Sequence, residues 1–319
     1  MLSSIKNSVK IFSGNSNVNL ASNIAKNLNL KLGDIDVSKF SDGEISVSIK
    51  ESVRGKDCFV VQSTCYPVND NLIELLIMSD ALKRASAKKI TAIIPYFGYA
   101  RQDRKINKYD PITAKLVADL ITTAGIDEII TMDLHAKQIE GFFNIPVTDI
   151  KGLYELSKIL KEKIKNINEY VIVSPDIGSI GRAKEFAKEL GNLEVAVINK
   201  FRPRPNECEV SNIFGNVKNK DAIIIDDMID TAGTLCKAAD FLLKEGAKSV
   251  IACATHGVFS GDAFDNLENS KFESIYILDT IPMNLEKLKV KNGLNKKLKI
   301  YSSCNPFAEF IGESTITNY

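Results

Sequence analysis

Short, uncharged runs of β-branched residues alternate along this chain with stretches that have the apolar spacing of a helix. Residues 222–225 form the clearest run, and the amphipathic pattern at residues 235–244 follows it. Such runs are typical of strands buried on both faces of a parallel sheet, and parallel strands require crossover connections, usually helices. The chain is therefore predicted to have an α/β fold based on parallel sheets.

The alternation occurs twice, with a break near residue 150. Because 319 residues suffice for two domains, we expect two doubly wound α/β domains, at residues 1–150 and 151–302. Segments such as 298–302 and 307–311 are expected to cross back to the first domain, to which residues 303–319 are assigned. Alternating apolar and polar residues at 37–50 predict a protruding antiparallel arm. The predicted strands are residues 9–12, 59–62, 90–95, 128–132, 170–173, 194–198, 222–225 and 249–252, and the predicted helices are residues 18–28, 71–84, 112–123, 153–164, 181–190, 235–244 and 262–267.

Composition narrows the class of protein. The chain has 41 Lys and Arg residues against 40 Asp and Glu residues, so its net charge of +1 gives no support for a nucleic-acid or membrane partner. Its six cysteines include no CxxC pair, which is typical of reduced thiols in the cytoplasm. No apolar run approaches the ~18 residues of a membrane span, and the start lacks the apolar core of a signal peptide. A cytoplasmic enzyme or binding protein is predicted.

The loop after residues 222–225 combines carboxylates with small residues. Asp226 and Asp227 come first, and residues 230–234 then lead into the predicted helix with the sequence Asp-Thr-Ala-Gly-Thr. The start of a helix presents N–H groups and a positive dipole end, which suit a phosphate monoester. Because carboxylates repel phosphate, the acidic pair is expected to hold hydroxyls of a sugar that carries the phosphate. The alternative is an ordinary turn capped by Asp, although a cap needs one Asp and this loop has three.

Two loops in the first half carry candidate nucleotide-binding groups. The loop after residues 90–95 contains aromatic residues beside Arg101 and Gln102, which suits a flat base and its phosphates. Basic loops are more often solvated surface, and that alternative stays open. Asp133 and His135 follow the next strand, at the sheet edge where open α/β sheets bind ligands. A lone histidine is more often satisfied structurally than a ligand.

Two loops in the second half suit a reacting phosphate. Residues 174–182 contain Gly178 and Gly181 and can offer N–H groups to a diphosphate, while Asp176 is a candidate Mg²⁺ ligand. Lys200 and Arg202 leave a predicted strand two residues apart, so they are expected to project to one side. The prolines that follow are expected to keep this arm out of the sheet, free to stabilise charge in a transition state. An exposed basic hairpin is the alternative.

Taken together, the motifs resemble one enzyme family over nearly the whole chain. They occur in the order found in class I ribose-phosphate diphosphokinases, the phosphoribosyl diphosphate (PRPP) synthetases, which implies a phosphoribosyltransferase-like fold. The resemblance implies that ATP and ribose 5-phosphate give PRPP and AMP for nucleotide biosynthesis, by attack of the anomeric hydroxyl on the β-phosphorus of MgATP. The motifs are Phe40-Ser-Asp-Gly-Glu44, Tyr99-Ala-Arg-Gln-Asp103, Asp133-Leu-His-Ala136, Gln138-Ile-Glu-Gly-Phe-Phe143, Ser174-Pro-Asp176, Lys200-Phe-Arg202 and Asp226-Asp-Met-Ile-Asp-Thr-Ala-Gly-Thr234.

The resemblance also implies roles for residues. An arm from a neighbouring subunit would contact the adenine, so the resemblance implies a homo-oligomer, a hexamer in this family. Lys200 and Arg202 would be catalytic, and the metal would be Mg²⁺. The implied groups are Phe40, Asp42, Gly43, Glu44, Arg101, Gln102 and Asp103 for ATP; Asp133, His135 and Asp176 for the Mg²⁺–triphosphate; Asp226 and Asp227 for the ribose hydroxyls; and Asp230, Thr231, Ala232, Gly233 and Thr234 for the 5-phosphate.

Departures from the family pattern limit what carries over. The diphosphate loop has Gly178-Ser179 in place of Gly-Gly, and because Ser adopts fewer backbone conformations than Gly, the direction of the Ser179 N–H does not carry over. The segment from residue 305 to residue 319, through which the family partly binds phosphate and ADP, is shorter than the usual family ending. The response to phosphate and ADP is therefore the least transferable property. Two alternatives remain. A phosphoribosyltransferase would leave the Phe40, Arg101 and His135 motifs unexplained. A non-catalytic regulatory homologue would be expected to lack the basic residues Lys200 and Arg202 or the metal-binding residues.

Overall fold

The chain folds into two compact units in a computed structural model that describes residues 8–204 and 207–316. The first unit contains the described residues up to Lys151, Thr280–Pro282 and the residues from Ser302 onward. The second contains Gly152–Asp279 and Met283–Tyr301. The second unit is thus inserted into the sequence of the first.

The first unit is built on a five-stranded parallel sheet with the order β1-β4-β5-β6-β7. Neighbouring residues Ile11 and Phe12 point to opposite faces of β1 and are both 0% exposed, so both faces of the sheet are covered. Its elements are β1 (Val9–Ser13), α1 (Val18–Asn27), β2 (Ile35–Lys39), β3 (Ile45–Ile49), β4 (Asp57–Val61), α2 (Val68–Arg84), β5 (Lys89–Ile94), α3 (Thr113–Thr123), β6 (Glu128–Met132), a 3₁₀ helix (Lys137–Phe142) and β7 (Val147–Ile150).

The second unit is built on a seven-stranded sheet with the order β10-β9-β8-β11-β12-β13-β14, parallel except for β10. The strand order reverses at β8, which pairs with both β9 and β11. Its elements are α4 (Gly152–Lys163), a 3₁₀ helix (Ile167–Glu169), β8 (Tyr170–Ser174), α5 (Ile180–Glu189), β9 (Val195–Arg204), β10 (Glu207–Phe214), β11 (Asp221–Ile229), α6 (Gly233–Lys244), β12 (Ser249–Gly257), α7 (Ala263–Glu268), β13 (Ser274–Leu278), α8 (Leu285–Lys289), α9 (Asn292–Lys297) and β14 (Leu298–Tyr301), after which α10 (Cys304–Ile316) belongs to the first unit.

The predicted α/β fold with parallel sheets is confirmed, although the predicted strands did not include β7, β10 or β13. Two further differences concern β11 and β14. β11 continues to Ile229, so Asp226 and Asp227 lie inside the strand and not after it. β14 pairs with β13 in the second sheet, so the expectation that residues 298–301 return to the first domain was wrong. Both segments gain backbone hydrogen bonds from a neighbouring strand, a tertiary effect that local sequence does not reveal.

The predicted antiparallel arm is the hairpin formed by β2 and β3, in which Ile35 pairs with Ile49 and Val37 with Val47. These four side chains pack against the hydrophobic core of the first unit, and β3 also contacts α2. Phe40, in the turn of the hairpin, is 59% exposed. The strands of the arm are therefore anchored to their own unit, while the turn projects into solvent.

None of the helices in the described part of the chain is long and apolar enough to cross a membrane.

Candidate active site

The loop between β11 and α6 has the geometry of a phosphate-binding turn. Ala232, the residue before α6, has φ +61° and ψ −8°, a left-handed conformation that L-residues adopt at a cost of about 1–2 kcal/mol. Among the described residues, only Asn266 Nδ2 would lie within 4 Å of a methyl group at Gly233, at 3.9 Å. This space in front of the helix start is what the predicted close approach of a phosphate requires.

Side chains from the segment that follows β12 hold the same loop by hydrogen bonds. Asn266 Nδ2 donates a hydrogen bond of 2.9 Å to the Thr231 carbonyl, and the Ser260 hydroxyl donates to the Asp230 carboxylate. The N–H of Cys236 donates to the Ala232 carbonyl at 2.9 Å, which closes the first turn of α6. The strained turn is therefore fixed before any ligand binds.

The acidic pair on β11 is bridged by an arginine that the sequence did not single out. Arg182 Nη1, on α5, lies 3.3 Å from Asp226 Oδ1 and 3.3 Å from Asp227 Oδ1. The Asp227 N–H donates to Asp226 Oδ1 at 2.9 Å. The Asp227 side chain is 5% exposed and that of Asp226 is 27% exposed. Forty-four residues separate Arg182 from Asp226, so only the fold reveals the contact.

Two carboxylates so close together cannot ionise independently. Burial, together with the neighbouring Asp227 carboxylate, raises the pKa of Asp226 well above its ordinary value, and the Arg182 guanidinium offsets part of this rise. The pair therefore offers acceptor oxygens to sugar hydroxyls with one cation already in place. This arrangement fits the predicted recognition of a ribose.

The loop after β8 is organised by Asp176. The Ser179 N–H donates to Asp176 Oδ1 at 3.0 Å, and the Ser174 hydroxyl donates to the Asp176 carbonyl at 2.7 Å. The N–H of Ser179 is therefore directed at Asp176, which answers the question that the Gly178-Ser179 sequence raised. A diphosphate in this loop would have to rely on the other N–H groups or compete with Asp176.

The segment with the proposed catalytic residues lies in a strand, contrary to the expectation that its prolines would keep it out of the sheet. β9 runs through Arg204 and pairs antiparallel with β10, with Lys200 opposite Val210. Pro203 falls where the register shifts, between the Phe201–Glu209 and Arg204–Glu207 pairs. A bulge at a sheet edge removes the need for a proline N–H in the ladder. The side-chain positions of Lys200 and Arg202, and all of Pro205, lie outside what the structure describes.

In the first unit, the loop after β5 is seated on the loop after β4. The Gly98 N–H donates to Thr64 Oγ1 at 2.6 Å, and the Thr64 N–H donates to the Tyr96 carbonyl at 2.9 Å. A methyl group at position 98 would lie 2.3 Å from the Thr64 carbonyl oxygen, so the close approach needs glycine. The path of the loop toward residue 101 is thus fixed at its base.

The predicted ATP-binding residues of this loop lie at its surface. Arg101 and Gln102 are exposed and Asp103 is half-buried. Gln102 Oε1 accepts a 2.6 Å hydrogen bond from the Thr113 hydroxyl, and Asp103 accepts one of 2.5 Å from Gln138 Nε2. The Gln138 motif that contributed to the family resemblance therefore supports the loop from the following 3₁₀ helix.

Asp133 and His135 have different environments. Asp133 is 4% exposed, has φ +45° and donates its N–H to the Ile150 carbonyl at 3.0 Å, whereas His135 is exposed. Asp149, which the sequence did not indicate, accepts a 3.0 Å hydrogen bond from the Leu134 N–H and pairs with Lys151. Burial raises the pKa of Asp149, and Lys151 opposes this rise. Together these contacts hold the turn that presents His135.

The carboxylates and histidine implied for Mg²⁺ do not form a closed cage. Within residues 8–204 and 207–316, no three His, Cys, Asp or Glu side chains converge as a metal site. Asp133 and His135 belong to the first unit and Asp176 to the second. Mg²⁺ usually takes one or two carboxylates and completes its shell with water and substrate phosphates. The donors present fit that mode of binding and do not fit an all-protein site.

The turn of the arm has a defined backbone. The Phe40 N–H donates to the Glu44 carbonyl at 2.8 Å, and the Gly43 N–H donates to the Phe40 carbonyl at 3.0 Å. The Glu44 N–H donates to Asp42 Oδ1 at 3.1 Å, and Gly43 has φ +95°, where glycine is favoured. An ordered turn therefore presents Phe40 to solvent.

Comparison with known proteins shows two matching family models and named relatives. A family model described as the N-terminal domain of ribose phosphate pyrophosphokinase matches residues 9–125, and a phosphoribosyl transferase domain model matches residues 148–281. The ribose-phosphate pyrophosphokinase of Caldanaerobacter subterraneus subsp. tengcongensis is 57% identical over 96% of this chain and 94% of the relative. That of Campylobacter jejuni is 53% identical over 95% and 94% respectively.

A solved structure agrees over the full length. The crystal structure of phosphoribosylpyrophosphate synthetase from Mycobacterium smegmatis is 38% identical, with a TM-score of 0.87, over 98% of this chain and 100% of that chain. The resemblance inferred from the motifs is thereby confirmed. On the identity and coverage of these relatives, the chain belongs to the ribose-phosphate pyrophosphokinase family.

Proposed function

We propose that this protein transfers the diphosphoryl group of MgATP to the anomeric hydroxyl of ribose 5-phosphate, giving PRPP and AMP for nucleotide biosynthesis. The observation that carries the proposal is the reversal of strand order at β8 in the second sheet. Open α/β sheets bind ligands beyond the carboxyl ends of their strands at such a point. The Asp176 loop follows β8 there, and the acidic pair and the Ala232 turn follow along β11.

Ribose 5-phosphate is proposed to bind along β11 and its loop. Asp226 and Asp227 would accept hydrogen bonds from the ribose hydroxyls, with Arg182 limiting the repulsion between the two carboxylates. The 5-phosphate would lie at the start of α6, where Gly233 leaves room and the helix dipole favours an anion. Asp230, Thr231, Ala232 and Thr234 would complete this site.

MgATP is proposed to bind through the exposed groups of the first unit. Arg101, Gln102 and Asp103 come from the loop after β5, and the turn with Phe40, Asp42, Gly43 and Glu44 would contact the adenine of a neighbouring subunit. The exposed ring of Phe40 supports this role, because an isolated aromatic ring gains little in water and much against a base or a partner chain. A homo-oligomer, with a hexamer implied by the family, follows from this proposal.

His135 and Asp176 are each proposed to serve the Mg²⁺–triphosphate, directly or through water. Bound there, the ion would neutralise charge on the phosphates. Asp133 would also belong to this group. Its low exposure of 4% and its contact with β7 favour a role in shaping the turn before His135.

In the proposed reaction the anomeric oxygen forms a bond to the β-phosphorus, and the bond between that phosphorus and the α,β-bridging oxygen breaks. AMP leaves with the bridging oxygen, and the hydroxyl proton is released. Phosphoryl transfer depends mostly on positioning and charge stabilisation, which β11 and the basic hairpin can supply. Lys200 and Arg202 are proposed to stabilise the charge that develops on the transferred group.

A coupled assay for AMP that depends on ribose 5-phosphate tests this function. We expect AMP and PRPP to form in equal amounts from MgATP. A phosphoribosyltransferase would instead consume PRPP with a nucleobase, and a non-catalytic homologue would form no AMP. Formation of ADP in place of AMP would also contradict the proposal, because it indicates transfer of one phosphoryl group.

A cytoplasmic location is also proposed. Each of the five cysteines whose side chains the structure describes is a free thiol, as expected in a reducing compartment.

A further inference from the structure

A polar network in the first unit, buried at Gln62 and Glu74, lies between the arm and the loop that carries Arg101. We infer that Asn15, Gln62 and Glu74 are positioning residues, which hold these two nucleotide-binding segments at a fixed separation. The inference rests on the proposed function, since it assigns both segments to MgATP. None of the three residues belongs to the motifs of the family resemblance.

On the arm side, Asn15 connects β2 to α2. Its side-chain Nδ2 donates to the Val37 carbonyl of β2 at 3.1 Å and to Glu74 Oε2 of α2 at 2.9 Å. Its backbone N–H donates to Glu74 Oε1 at 2.5 Å. An ion pair between Lys39 and Asp70 makes a second connection between the same strand and helix. One face of the hairpin is therefore tied to α2 by polar contacts as well as by packing.

On the loop side, the network passes through Gln62, the residue after β4. Gln62 Nε2 donates to Glu74 Oε1 at 2.8 Å and to the Asn71 carbonyl at 3.1 Å. Asn71 Nδ2 in turn donates to the Cys65 carbonyl at 2.8 Å. Cys65 follows Thr64, on which Tyr96 and Gly98 of the nucleotide loop are seated. Hydrogen bonds, linked covalently within Asn71 and between Thr64 and Cys65, thus connect the two segments.

The network is a built feature of the core. Gln62 is 0% exposed and Glu74 is 5% exposed, so the Glu74 carboxylate is largely withdrawn from solvent, and it accepts hydrogen bonds from three N–H donors. A methyl group at Gly14 would lie 2.3 Å from Gln62 Oε1, so the Gln62 side chain has room only because residue 14 is glycine. A buried carboxylate is expensive unless it is fully hydrogen-bonded, and a satisfied network makes its surroundings rigid. Rigidity between two binding segments lowers the ordering cost of ligand binding.

Asn15 gives the cleanest test, because it is exposed and its replacement threatens the fold little. We compare Asn15→Ala with Asn27→Ala. Asn27 is an exposed asparagine of the same unit, and its Nδ2 donates to Asn305 Oδ1 of α10 at 2.7 Å, a residue that belongs to neither segment. Asn15→Ala should raise the KM for MgATP roughly 3- to 10-fold, the worth of about one hydrogen bond. The KM for ribose 5-phosphate should stay within about twofold, and Asn27→Ala should change neither KM.

A second variant acts on the centre of the network. Glu74→Gln keeps the shape but turns one acceptor into a donor, which then faces the N–H groups of Asn15 or Gln62. It should raise the KM for MgATP more than Asn15→Ala does. Glu128→Gln is its matched control, since Glu128 pairs with Lys89 at the start of β5 and β6 and touches neither segment.

Hydrogen exchange separates this inference from the proposed function. Asn15→Ala should speed amide exchange in residues 35–49 and in residues 96–103 together, whether or not the wild type forms AMP. Faster exchange in the arm alone, or equal changes in KM for both substrates, would overturn the inference. A wild type that forms no AMP would instead contradict the proposed function.

Discussion

At the residue scale, the proposed contact of the acidic pair on β11 with the sugar predicts how sugar binding depends on pH. Burial and the neighbouring carboxylate raise the pKa of Asp226, and Arg182 is the cation that limits the rise. A protonated Asp226 loses the charge that strengthens hydrogen bonds from sugar hydroxyls. As the pH is lowered, binding of ribose 5-phosphate should therefore begin to weaken at a higher pH than it would if Asp226 had the pKa of an ordinary Asp carboxyl.

We expect the KM for ribose 5-phosphate to rise as the pH is lowered, and the rise to begin above the ordinary titration range of an Asp carboxyl. Asp226→Asn removes the titrating group, so its KM should be high throughout and change less. The substrate phosphate itself titrates near pH ~6 in both proteins, so the difference between the two profiles is the measurement. Parallel profiles would show that Asp226 does not contact the sugar.

The Asp226 carboxyl should also lower the stability of the folded protein as the pH rises. A carboxyl whose pKa is raised in the folded state contributes most to stability at low pH, and that contribution is lost as the pH rises through the interval between its unfolded and folded pKa. We expect Asp226→Asn to have a higher Tm than the wild type near pH ~8 and an equal Tm near pH ~4. Thermal unfolding at both values measures this. A lower Tm at both would mean that the contact with Arg182 outweighs the cost of burial.

At the element scale, the hairpin of β9 and β10 places Lys200 in a paired strand beside the reversal of strand order. We expect Lys200→Ala to lower kcat by several orders of magnitude with little change in the KM for ribose 5-phosphate, because an interaction made only in the transition state lowers kcat and kcat/KM together. Lys220→Ala is the control, since Lys220 pairs with Glu194 just before β11 and β9 begin. A rise in KM alone would make the hairpin a substrate-binding element.

At Gly98 the loop after β5, which carries Arg101, packs closely against the loop after β4. Gly98→Ala should displace that loop, because the new methyl group would lie 2.3 Å from the Thr64 carbonyl oxygen. We expect a loss of about 1–3 kcal/mol of stability, the usual cost of overpacking, together with a higher KM for MgATP. Gly312→Ala, in the same unit, would place its added methyl group 3.8 Å from Leu28 Cδ2, an ordinary van der Waals contact, so it should leave both nearly unchanged. Denaturant unfolding and steady-state kinetics measure the two effects.

Local pattern was enough to predict eight of the eleven parallel strands in the described residues, seven of the helices and the hairpin with Phe40. It did not show β7, β13 or β14 as strands, or the helices α8 and α9. It was not enough for β10, because Pro203 and Pro205 argue against a strand and only the bulge in β9 reconciles Pro203 with the sheet. The length of β11 also depends on pairing with β12, which continues past Asp226. Elements that exist through tertiary pairing are those that sequence periodicity cannot show.

The candidate site was predicted to the extent that its residues belong to motifs. Arg182 was missed because its partners lie more than forty residues away, and Glu74 was missed because an acidic residue in a helix is usually solvent-facing. Both residues support groups that the motifs contain. Contacts of this kind need the fold, because each partner is unremarkable in its local sequence.

At the scale of the whole molecule, the exposed turn of the arm predicts that a site is shared between subunits. We expect two variants, one with Phe40→Ala and Glu44→Ala and the other with Lys200→Ala, to be nearly inactive alone. When they are mixed, dissociated and reassociated, some sites will combine an intact turn with an intact Lys200, and activity should return to a fraction of the wild-type value. If the mixture stays inactive, each site is built from one chain, which the packing of the arm on its own unit also allows.

The insertion of one unit into the other has a consequence for synthesis. Helix α10 packs on α1, with Phe307 and Ile311 fully buried, although more than 270 residues separate the two helices. On the ribosome, residues 8–151 therefore emerge long before the helix that covers α1, while nearly all of the second unit becomes available first. The surface of α1 that α10 covers must stay open through most of translation, so the nascent chain is most exposed to chaperones and proteases at its earliest folded segment.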